Sequence, residues 1–234
     1  MLKNKRIVIV GGSSGIGLNL SGHLLDQGNE IIVGSRSSEK LSEAKKLLND
    51  GITTFQVDAS DENSVMEFFG NVGEFDHLVV TIKPEHWVSD FEKSCVSSAR
   101  EAFDSKFWGQ YNLVRHCLKY ISEHGSIVLT SGIASKRSYK GFSGIAAING
   151  AVESFVKSVS GEISPVRINV VSPGFIERHS GDSGRYESIV KLGANPPLER
   201  LGTQGEVSQA YVYLLENTYS TGSSLVVDGG ELCV

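Results

Sequence analysis

The sequence predicts a single α/β domain in which a parallel sheet carries helices on both faces. Two observations support this fold class. The 234 residues, 40% of them hydrophobic and 21% charged, suit one domain with a sizeable core. Short β-branched runs also alternate with longer amphipathic segments. This alternation implies crossovers in which a helix joins two parallel strands.

Seven short runs rich in valine and isoleucine are the strand candidates. In chain order they are RIVIV (6–10), EIIVG (30–34), TTFQV (53–57), HLVVT (77–81), SIVLT (126–130), RINVV (167–171) and SLVVD (224–228). Helical segments lie between them, among them GIGLNLSGHLLDQG (15–28), SEKLSEAKKLLND (38–50) and SVMEFFGNV (64–72). No solenoid repeat, low-complexity tract or linker interrupts the pattern, so we expect residues 1–234 to form one domain.

The segment FIERHSGDSGRYESIVKLGANPP (175–197) is the most irregular part of the chain. It lies between the sixth and seventh strand candidates, where an α/β enzyme often carries a mobile cover over its substrate. An ordinary surface excursion fits its length equally well. Residues 175–197 are therefore a candidate substrate-side lid.

Charge and cysteine usage argue against several classes of protein. The net charge of −5 is modest and the basic residues are scattered, which argues against a nucleic-acid partner. Cys95, Cys117 and Cys233 are odd in number and far apart, so neither a disulfide framework nor a metal site is expected. The opening run is too short for a signal peptide, and no segment is long enough to span a membrane. We expect a cytoplasmic protein that binds a small molecule.

A glycine-rich turn follows the first strand candidate. IVIVGGSSGIG places Gly11, Gly15 and Gly17 between that strand and the start of the first helix. Glycine lets the backbone approach a pyrophosphate, whose negative charge is favoured by the helix N-terminus. Close packing of strand and helix is the alternative, because such a turn alone is weak evidence.

The spacing of these glycines resembles the motif of the short-chain dehydrogenases/reductases. Two later segments are similar to the same family: RINVVSPGFI (167–176) to its Pro-Gly segment, and ERLGTQGEV through STGSSLVVDGG (199–230) to its C-terminal signature. The resemblance implies a Rossmann-type, doubly wound domain with a seven-stranded parallel sheet, assembled as a homodimer or homotetramer. It also implies contacts to a dinucleotide cofactor from Gly11, Ser13, Ser14, Gly15, Ile16, Gly17, Asp58, Ala59, Pro173, Gly174 and Ile176.

The residues after the second strand candidate bear on which cofactor is bound. Ser35 stands where NAD-preferring relatives carry an acidic residue, and Arg36 follows at once. A carboxylate would repel a 2′-phosphate, whereas a guanidinium and a hydroxyl can bind it. We therefore expect NADP(H) to be preferred over NAD(H), with a solvated surface arginine as the alternative. The family's acidic residue at the position of Asp58 meets the adenine amino group, and a helix cap is the alternative role.

The family's catalytic tetrad consists of Asn, Ser and a Tyr-x-x-x-Lys pair, and this chain departs from it at every position. Asn149 stands in the lysine position and Ile145 in the tyrosine position. The serine position falls on Gly132, with Ser131 beside it, and the asparagine position falls on Lys106. Neither Ile145 nor Asn149 can do the acid/base work of the residue it replaces.

Lys106 and Asn149 look like an exchange of the family's Asn and Lys. In one hypothesis the Lys106 ammonium fills the volume of the missing lysine while Asn149 bonds the nicotinamide ribose. Independent, solvated substitutions after a loss of function are the alternative. Ser131 and Tyr139 are candidate hydroxyl groups in place of the tyrosine, unless the strand or the loop turns them away. The candidate catalytic residues are thus Lys106, Ser131, Tyr139 and Asn149.

Further side chains are candidates for the pocket or for a subunit interface. Ligands bind at the carboxyl ends of parallel strands, so residues just after the fourth and sixth strands can line a pocket, or can simply be exposed or pack in loops. These are His86, Trp87, Phe175, Arg178 and His179. Exposed Phe107, Trp108 and Tyr111 would suit an interface between subunits, with core packing as the alternative.

Two functions remain open, and we favour the first. It is an NADP(H)-dependent oxidoreductase that reduces a small-molecule carbonyl with a relocated proton donor. Loss of a general acid costs about 10²- to 10⁴-fold in rate, and orientation can supply more than that. The alternative is a non-catalytic NADP(H)-binding regulatory or assembly protein that senses redox state. Non-redox chemistry on bound NADP(H) is a third, smaller possibility.

Overall fold

The computed structural model describes residues 2–84, 88–178 and 183–234. Its seven strands form one parallel sheet in the order β3-β2-β1-β4-β5-β6-β7. All seven predicted strands and the predicted doubly wound fold are confirmed. The strands are β1 Arg6–Val10, β2 Glu30–Ser35, β3 Ile52–Gln56, β4 Phe75–Val80, β5 Ile121–Thr130, β6 Arg167–Pro173 and β7 Ser224–Val227.

Helices connect the strands, and none in the described ranges is long and apolar enough to cross a bilayer. Between α4 and α5 the backbone forms a π-helical turn, Asp104–Trp108, a widened turn that often occurs at functional sites. The α-helices of the described residues are α1 Gly15–Asp26, α2 Ser38–Leu47, α3 Glu62–Val72, α4 Val96–Phe103, α5 Gly109–Cys117, α6 Ser143–Val159, α7 Ser183–Lys191 and α8 Gln204–Glu216.

The sheet is buried on both faces, which explains why its strands read as nearly continuous apolar runs. Val8 and Val10 of β1 face a core built with α3, α5 and α6. Ile7 and Ile9 of the same strand face a second core built with α1, α2 and α8. Each buried side chain of this size contributes roughly 1.5–3 kcal/mol. The two cores hold the carboxyl ends of the strands in a fixed arrangement.

The helix starts differ in a way that matters for ligand binding. Ser37 caps the N-terminus of α2 by accepting a hydrogen bond from the Lys40 N–H. A capping box of Thr203 and Glu206 does the same at the N-terminus of α8. Within the described residues, the Ser14 side chain makes no capping hydrogen bond at the start of α1. The first N–H groups of α1 are therefore not satisfied by that side chain.

The strand order reverses between β1 and β4, and a crevice opens there at the carboxyl ends of the strands. The segment predicted as a lid at 175–197 borders this edge. It contains α7, and Ile176 pairs with Gly202 in an isolated β-bridge. Its function as a lid stays a prediction.

Candidate functional site

A cleft of about 670 Å³ occupies this crevice. All four candidate catalytic residues line it, and so do all candidate cofactor residues except Gly17. A shallower groove of about 470 Å³ between α1 and α8 contains none of them. The cleft therefore brings both candidate sets together. The predicted residues that line it are Gly11, Ser13, Ser14, Gly15, Ile16, Ser35, Arg36, Asp58, Ala59, Lys106, Ser131, Tyr139, Asn149, Pro173, Gly174 and Ile176.

The glycine turn has open space at Gly15, where a pyrophosphate can lie, and no space for a side chain at Gly17. Gly15 has a φ of +55°, and a Cβ atom there would meet no described atom within 4 Å, so this glycine faces open space. A Cβ at Gly17 would collide with the Gly11 carbonyl oxygen and lie 2.5 Å from Thr81 Oγ1. Gly17 thus serves helix packing, and Gly15 leaves the space that a phosphate needs. The turn fits a dinucleotide.

The end of the cleft beyond β2 is polar and carries basic side chains. The Ser13 hydroxyl donates to the Ser35 hydroxyl at 3.0 Å. Arg36 is exposed and lines the cleft together with Lys40. The Gln56 side chain donates to the Arg36 carbonyl oxygen at 2.8 Å and fixes the backbone there. Among the described lining residues, this end of the cleft therefore carries two basic side chains, Arg36 and Lys40, and the hydroxyl groups of Ser13 and Ser35.

Asp58 lies farther along the same wall. Its Oδ1 accepts hydrogen bonds from the Ser60 N–H at 3.0 Å and the Ser60 hydroxyl at 2.6 Å. The N-cap of α3 is Asp61, so the alternative in which Asp58 caps that helix is wrong. Ala59 is held next to it, because its carbonyl oxygen accepts a hydrogen bond from the Asn112 side chain at 3.1 Å.

Lys106 lies in the π-helical turn and points into the protein, with only 4% of its surface exposed. Its Nζ donates to Asn149 Oδ1 at 2.8 Å and to the Ser131 carbonyl oxygen at 2.9 Å. The alternative of a solvated Lys106 is therefore wrong. Burial lowers the pKa of Lys106 to about 7, although the negative charge of Glu153 works in the opposite direction.

Gln110, which the sequence analysis did not single out, holds this turn in place. Its side-chain amide donates to the Lys106 carbonyl oxygen at 3.0 Å and accepts from the Thr130 N–H at 3.0 Å. Gln110 is almost fully buried, at 1% exposure. The π-helical turn is thereby tied to the end of β5.

Asn149 and Gly132 fit together sterically. The Asn149 side chain donates from Nδ2 to the Gly132 carbonyl oxygen at 3.2 Å. A Cβ atom at Gly132 would lie 2.9 Å from that same Nδ2. A serine at this position, which the resemblance predicts for the family, would therefore require Asn149 to move. Lys106, Gly132 and Asn149 form one interlocked unit.

Both the main-chain carbonyl and the side-chain hydroxyl of Ser131 make hydrogen bonds. Its carbonyl oxygen accepts from Lys106, and its hydroxyl donates to Glu153 Oε1 at 2.7 Å. Glu153 also accepts from the Ser135 hydroxyl at 2.9 Å and pairs with Lys136 at 3.1 Å. Glu153 was not predicted from the sequence, although its position four residues after Asn149 puts both on one helix face.

Tyr139 lines the cleft, but its hydroxyl donates to a carboxylate. The partner is Glu231 Oε1 at 2.9 Å, and Glu231 is completely buried. Arg137 pairs with the same oxygen at 3.0 Å. Burial and then the bond to Glu231 raise the pKa of Tyr139. This tyrosine is therefore harder to deprotonate than an exposed one.

The substrate end of the cleft has an apolar wall. Tyr139 packs edge-to-face on Phe175 with ring centroids 5.1 Å apart, and Phe142 lies 5.6 Å from Tyr139. Ile145, which the sequence analysis assigns to the family's tyrosine position, belongs to the same cluster. Of the other pocket candidates, Phe175 and Arg178 line the cleft. The candidates His86, Trp87 and His179 lie outside the described residues.

The aromatic candidates for a subunit interface differ in exposure. Trp108 and Tyr111 are exposed, at 48% and 38%. Phe107 is instead partly buried against the core and packs edge-to-face on Phe155, with centroids 6.2 Å apart. The expectation that Phe107 is exposed is wrong, because the helix turns this side chain toward α6.

Comparison with known proteins agrees with the geometry. A family model described as enoyl-(acyl carrier protein) reductase matches residues 10–231. Carbonyl reductase family member 4 of Danio rerio is 30% identical over 241 residues, which cover 95% of this chain and 96% of the relative. The 3-oxoacyl-(acyl-carrier-protein) reductase of Homo sapiens is 28% identical, with 97% of this chain and 98% of the relative covered.

Solved structures are also similar to this chain. A small-chain dehydrogenase crystallised in complex with NADPH is 30% identical and superposes with a TM-score of 0.82, covering 98% of this chain and 100% of that chain. Together with the match of the family model over residues 10–231, this similarity decides the assignment. The chain belongs to the short-chain dehydrogenase/reductase family, whose members are oxidoreductases.

Proposed function

We propose that this protein is an NADPH-dependent reductase of a small-molecule carbonyl compound in which Lys106 donates the proton. The observation that carries the proposal is the buried Lys106 ammonium on the wall of the cleft, held by Asn149 and Ser131. A side chain with a charge near the reacting centre can replace the missing tyrosine hydroxyl only if it is held in place.

Several features support NADPH as the cofactor. The glycine turn leaves open space at Gly15, and Arg36 and Lys40 stand beside Ser35 at the end where a 2′-phosphate would lie. No acidic residue occupies position 35 to repel that phosphate. The cofactor, when bound, supplies the hydride. A relative with 30% identity was crystallised with NADPH.

The proton chemistry follows from the contacts of Lys106. Among the described residues its Nζ has two hydrogen-bond acceptors, and an ammonium has three donors. The third N–H is the one we assign to the substrate carbonyl oxygen. As negative charge develops on that oxygen, the N–H bond breaks, an O–H bond forms and a neutral amine remains. The amine then regains a proton from water.

The pKa of Lys106 suits this task. A general acid is most effective when its pKa lies near the working pH, and that of Lys106 is about 7. Asn149 uses Oδ1 to hold the ammonium and one N–H to hold Gly132. Its second N–H is available to the nicotinamide ribose, which would preserve one task of the family's lysine.

The substrate end supports a carbonyl compound with an apolar body. Its wall is formed by aromatic and aliphatic side chains, among them Phe142, Ile145 and Phe175. Burial of apolar surface against such a wall is worth about 25 cal/mol per Å². Ring-bearing or branched ketones and aldehydes are therefore the first compounds to test.

The decisive experiment combines binding and turnover. NADPH and NADH binding is measured by fluorescence, and NADPH oxidation is then followed over a panel of carbonyl compounds. Lys106→Met is expected to lower kcat by about 10²- to 10⁴-fold while NADPH still binds. Lys157→Met, at an exposed position of α6, is the matched control. Unchanged turnover in Lys106→Met would contradict the proposal.

One observation favours a second candidate, a non-catalytic NADP(H)-binding protein. The hydroxyls of Ser131 and Tyr139 both donate to carboxylates, so neither is directed at a substrate. Such a protein would sense the redox state of the cofactor pool. Tight NADPH binding without turnover of any carbonyl in the panel would decide for this candidate.

We further propose that the protein assembles as a homodimer or homotetramer through the exposed aromatic residues Trp108 and Tyr111. Aromatic side chains are enriched in the cores of such interfaces. Light scattering after size exclusion is expected to give a multiple of the 25.2 kDa chain mass. A Trp108→Glu variant is expected to shift that mass toward the monomer.

A further inference from the structure

Glu153 occupies a place next to the proposed proton donor without touching it. Lys106 binds the carbonyl oxygen of Ser131, and Glu153 binds the hydroxyl of the same Ser131. Glu153 also lies one helical turn after Asn149, the second partner of Lys106. The carboxylate and the ammonium are thus hydrogen-bonded to the same residue, Ser131.

The carboxylate is surrounded by donors that suit its charged form. Ser131 and Ser135 each donate a hydroxyl hydrogen bond to Oε1, at 2.7 Å and 2.9 Å. Lys136, an exposed residue on the segment after β5, pairs with Oε2 at 3.1 Å. Charge-assisted bonds of this kind hold a carboxylate in a fixed place.

Among the residues that the structure describes, Glu153 is the one whose charge acts on Lys106. Arg100 and Glu101 of α4, and Asp104 in the π-helical turn itself, are exposed. On the segment after β5, Lys136 lies beyond Glu153 and the Tyr139 hydroxyl is bonded to Glu231. Lys83, after β4, lines the same cleft.

A buried ammonium needs a compensating charge to stay protonated, because burial disfavours the charged form. We propose that Glu153 is a positioning residue that supplies this compensating charge to Lys106 across Ser131, which both groups contact. Its effect on catalysis rests on the proposed function, whereas its effect on the protonation of Lys106 does not. The alternating charges of Lys106, Glu153 and Lys136 then determine which fraction of Lys106 is protonated at neutral pH.

The test measures the titration of Lys106 directly, in the full-length protein without cofactor. Lysines are labelled with ¹³C at Cε, and the Lys106 signal is identified as the one that Lys106→Met lacks. In the wild type the midpoint is expected at about pH 7. Glu153→Gln is expected to lower it by about 1 pH unit.

Three further variants make the result specific. Glu153→Asp keeps the charge and is expected to restore part of the shift. Lys136→Met leaves Glu153 in place, removes its other cation, and is expected to move the midpoint slightly upward. Glu162→Gln, at an exposed position after α6, is the matched control and should have no effect. A midpoint that Glu153→Gln leaves unchanged, or that Glu162→Gln lowers equally, overturns the inference.

Turnover separates this inference from the proposed function. If Lys106 donates the proton, the high-pH limit of kcat moves with the Lys106 midpoint in each variant. A midpoint that moves while the pH profile stays fixed supports Glu153 as the compensating charge and refutes Lys106 as the donor. If the protein turns over no carbonyl, the titration still decides whether Glu153 keeps Lys106 charged.

Discussion

The two halves of the cleft relate to the family in opposite ways. In the nucleotide half, Gly11, Gly15 and Gly17 match the family pattern at each position. In the half where chemistry would occur, the sequence predicts that every tetrad position differs. Yet the replacements contact one another: Lys106 binds Asn149, and Asn149 binds Gly132. Substitutions that accumulated independently after a loss of function would not be expected to form one buried, hydrogen-bonded unit.

The difference between the halves has a physical origin. A pyrophosphate is bound by backbone N–H groups, which become accessible only where side chains are absent. Few residues other than glycine can satisfy that requirement. A proton, in contrast, can come from any suitable acid that is held at the right distance. The nucleotide half is therefore constrained by shape, and the other half only by position and charge.

The largest effect is expected from a change in the nucleotide half. Gly17→Val should weaken NADPH binding more than about 100-fold, because its side chain would collide with Gly11 and Thr81 and displace the start of α1. Gly150→Ala, where a Cβ would meet nothing within 4 Å, is the control. Fluorescence titration measures affinity, and thermal unfolding shows whether the variant is folded. Retained affinity in a folded Gly17→Val would contradict the assignment of this turn.

The next effect tests which cofactor the nucleotide half selects. Arg36→Ala should weaken NADPH binding by about 30-fold and leave NADH binding nearly unchanged, since a charge-assisted bond to a phosphate is worth about 2 kcal/mol. Lys45→Ala, at an exposed position of α2, is the control. An equal loss of affinity for both cofactors would show that Arg36 does not contact the 2′-phosphate.

A smaller effect tests whether the altered half is one unit. Gly132→Ser should destabilise the protein by roughly 1.5 kcal/mol, because the added atoms crowd Asn149 Nδ2. Combined with Asn149→Ala, it should cost about 1 kcal/mol less than the sum of the two single changes. Gly70→Ser, on α3 and without such a contact, should instead be additive with Asn149→Ala. Chemical denaturation of the wild type and the five variants measures these changes, and additivity for Gly132→Ser with Asn149→Ala would show that Gly132 and Asn149 are not coupled.

The smallest effect concerns the interior of the sheet, away from the cleft. Among the described residues, neither ring nitrogen of buried His77 on β4 has a partner. Burial lowers the pKa of His77 from 6.5 to about 4, with Asp76 opposing and Lys5 and Arg167 adding to the effect. Below pH 6.5 the unfolded chain takes up a proton at His77 that the folded chain does not. The free energy of unfolding therefore decreases as the pH is lowered.

For His77 this loss is roughly 1 kcal/mol at pH 6 relative to pH 8. His77→Val should remove it, and denaturation at the two pH values measures the difference. His124→Val is the control, because His124 is exposed. If wild type and His77→Val lose the same stability between pH 8 and pH 6, the histidine is not the cause.

Much of the fold could be predicted because its signals are local. Each strand is a short apolar run, and parallel strands necessarily bring their carboxyl ends to one edge. The cleft and most of its cofactor residues follow from that. The bonds of the candidate catalytic groups could not be predicted in the same way. Tyr139 donates to Glu231, which lies 92 positions farther along the chain and belongs to no recognisable motif.

Lys106 and Phe107 show the same limit. A lysine on a helix is ordinarily solvated, and an aromatic residue beside it can face either way. Both residues lie in the π-helical turn Asp104–Trp108, where Lys106 is buried and Phe107 packs against the core. Nothing in the letters FDSKFWGQY indicates that widened turn.

The widened turn also has an evolutionary consequence. A π-helical turn closes i→i+5 hydrogen bonds and so holds one residue more than an α-helical turn, which means that removing one residue from Asp104–Trp108 could restore a regular α-helix between α4 and α5. A single-codon deletion could therefore exchange the side chain that enters the cleft without altering any strand. Insertion and deletion, and not only substitution, are then routes by which this scaffold acquires a different acid, and the length of this one turn is a variable that protein engineers can use.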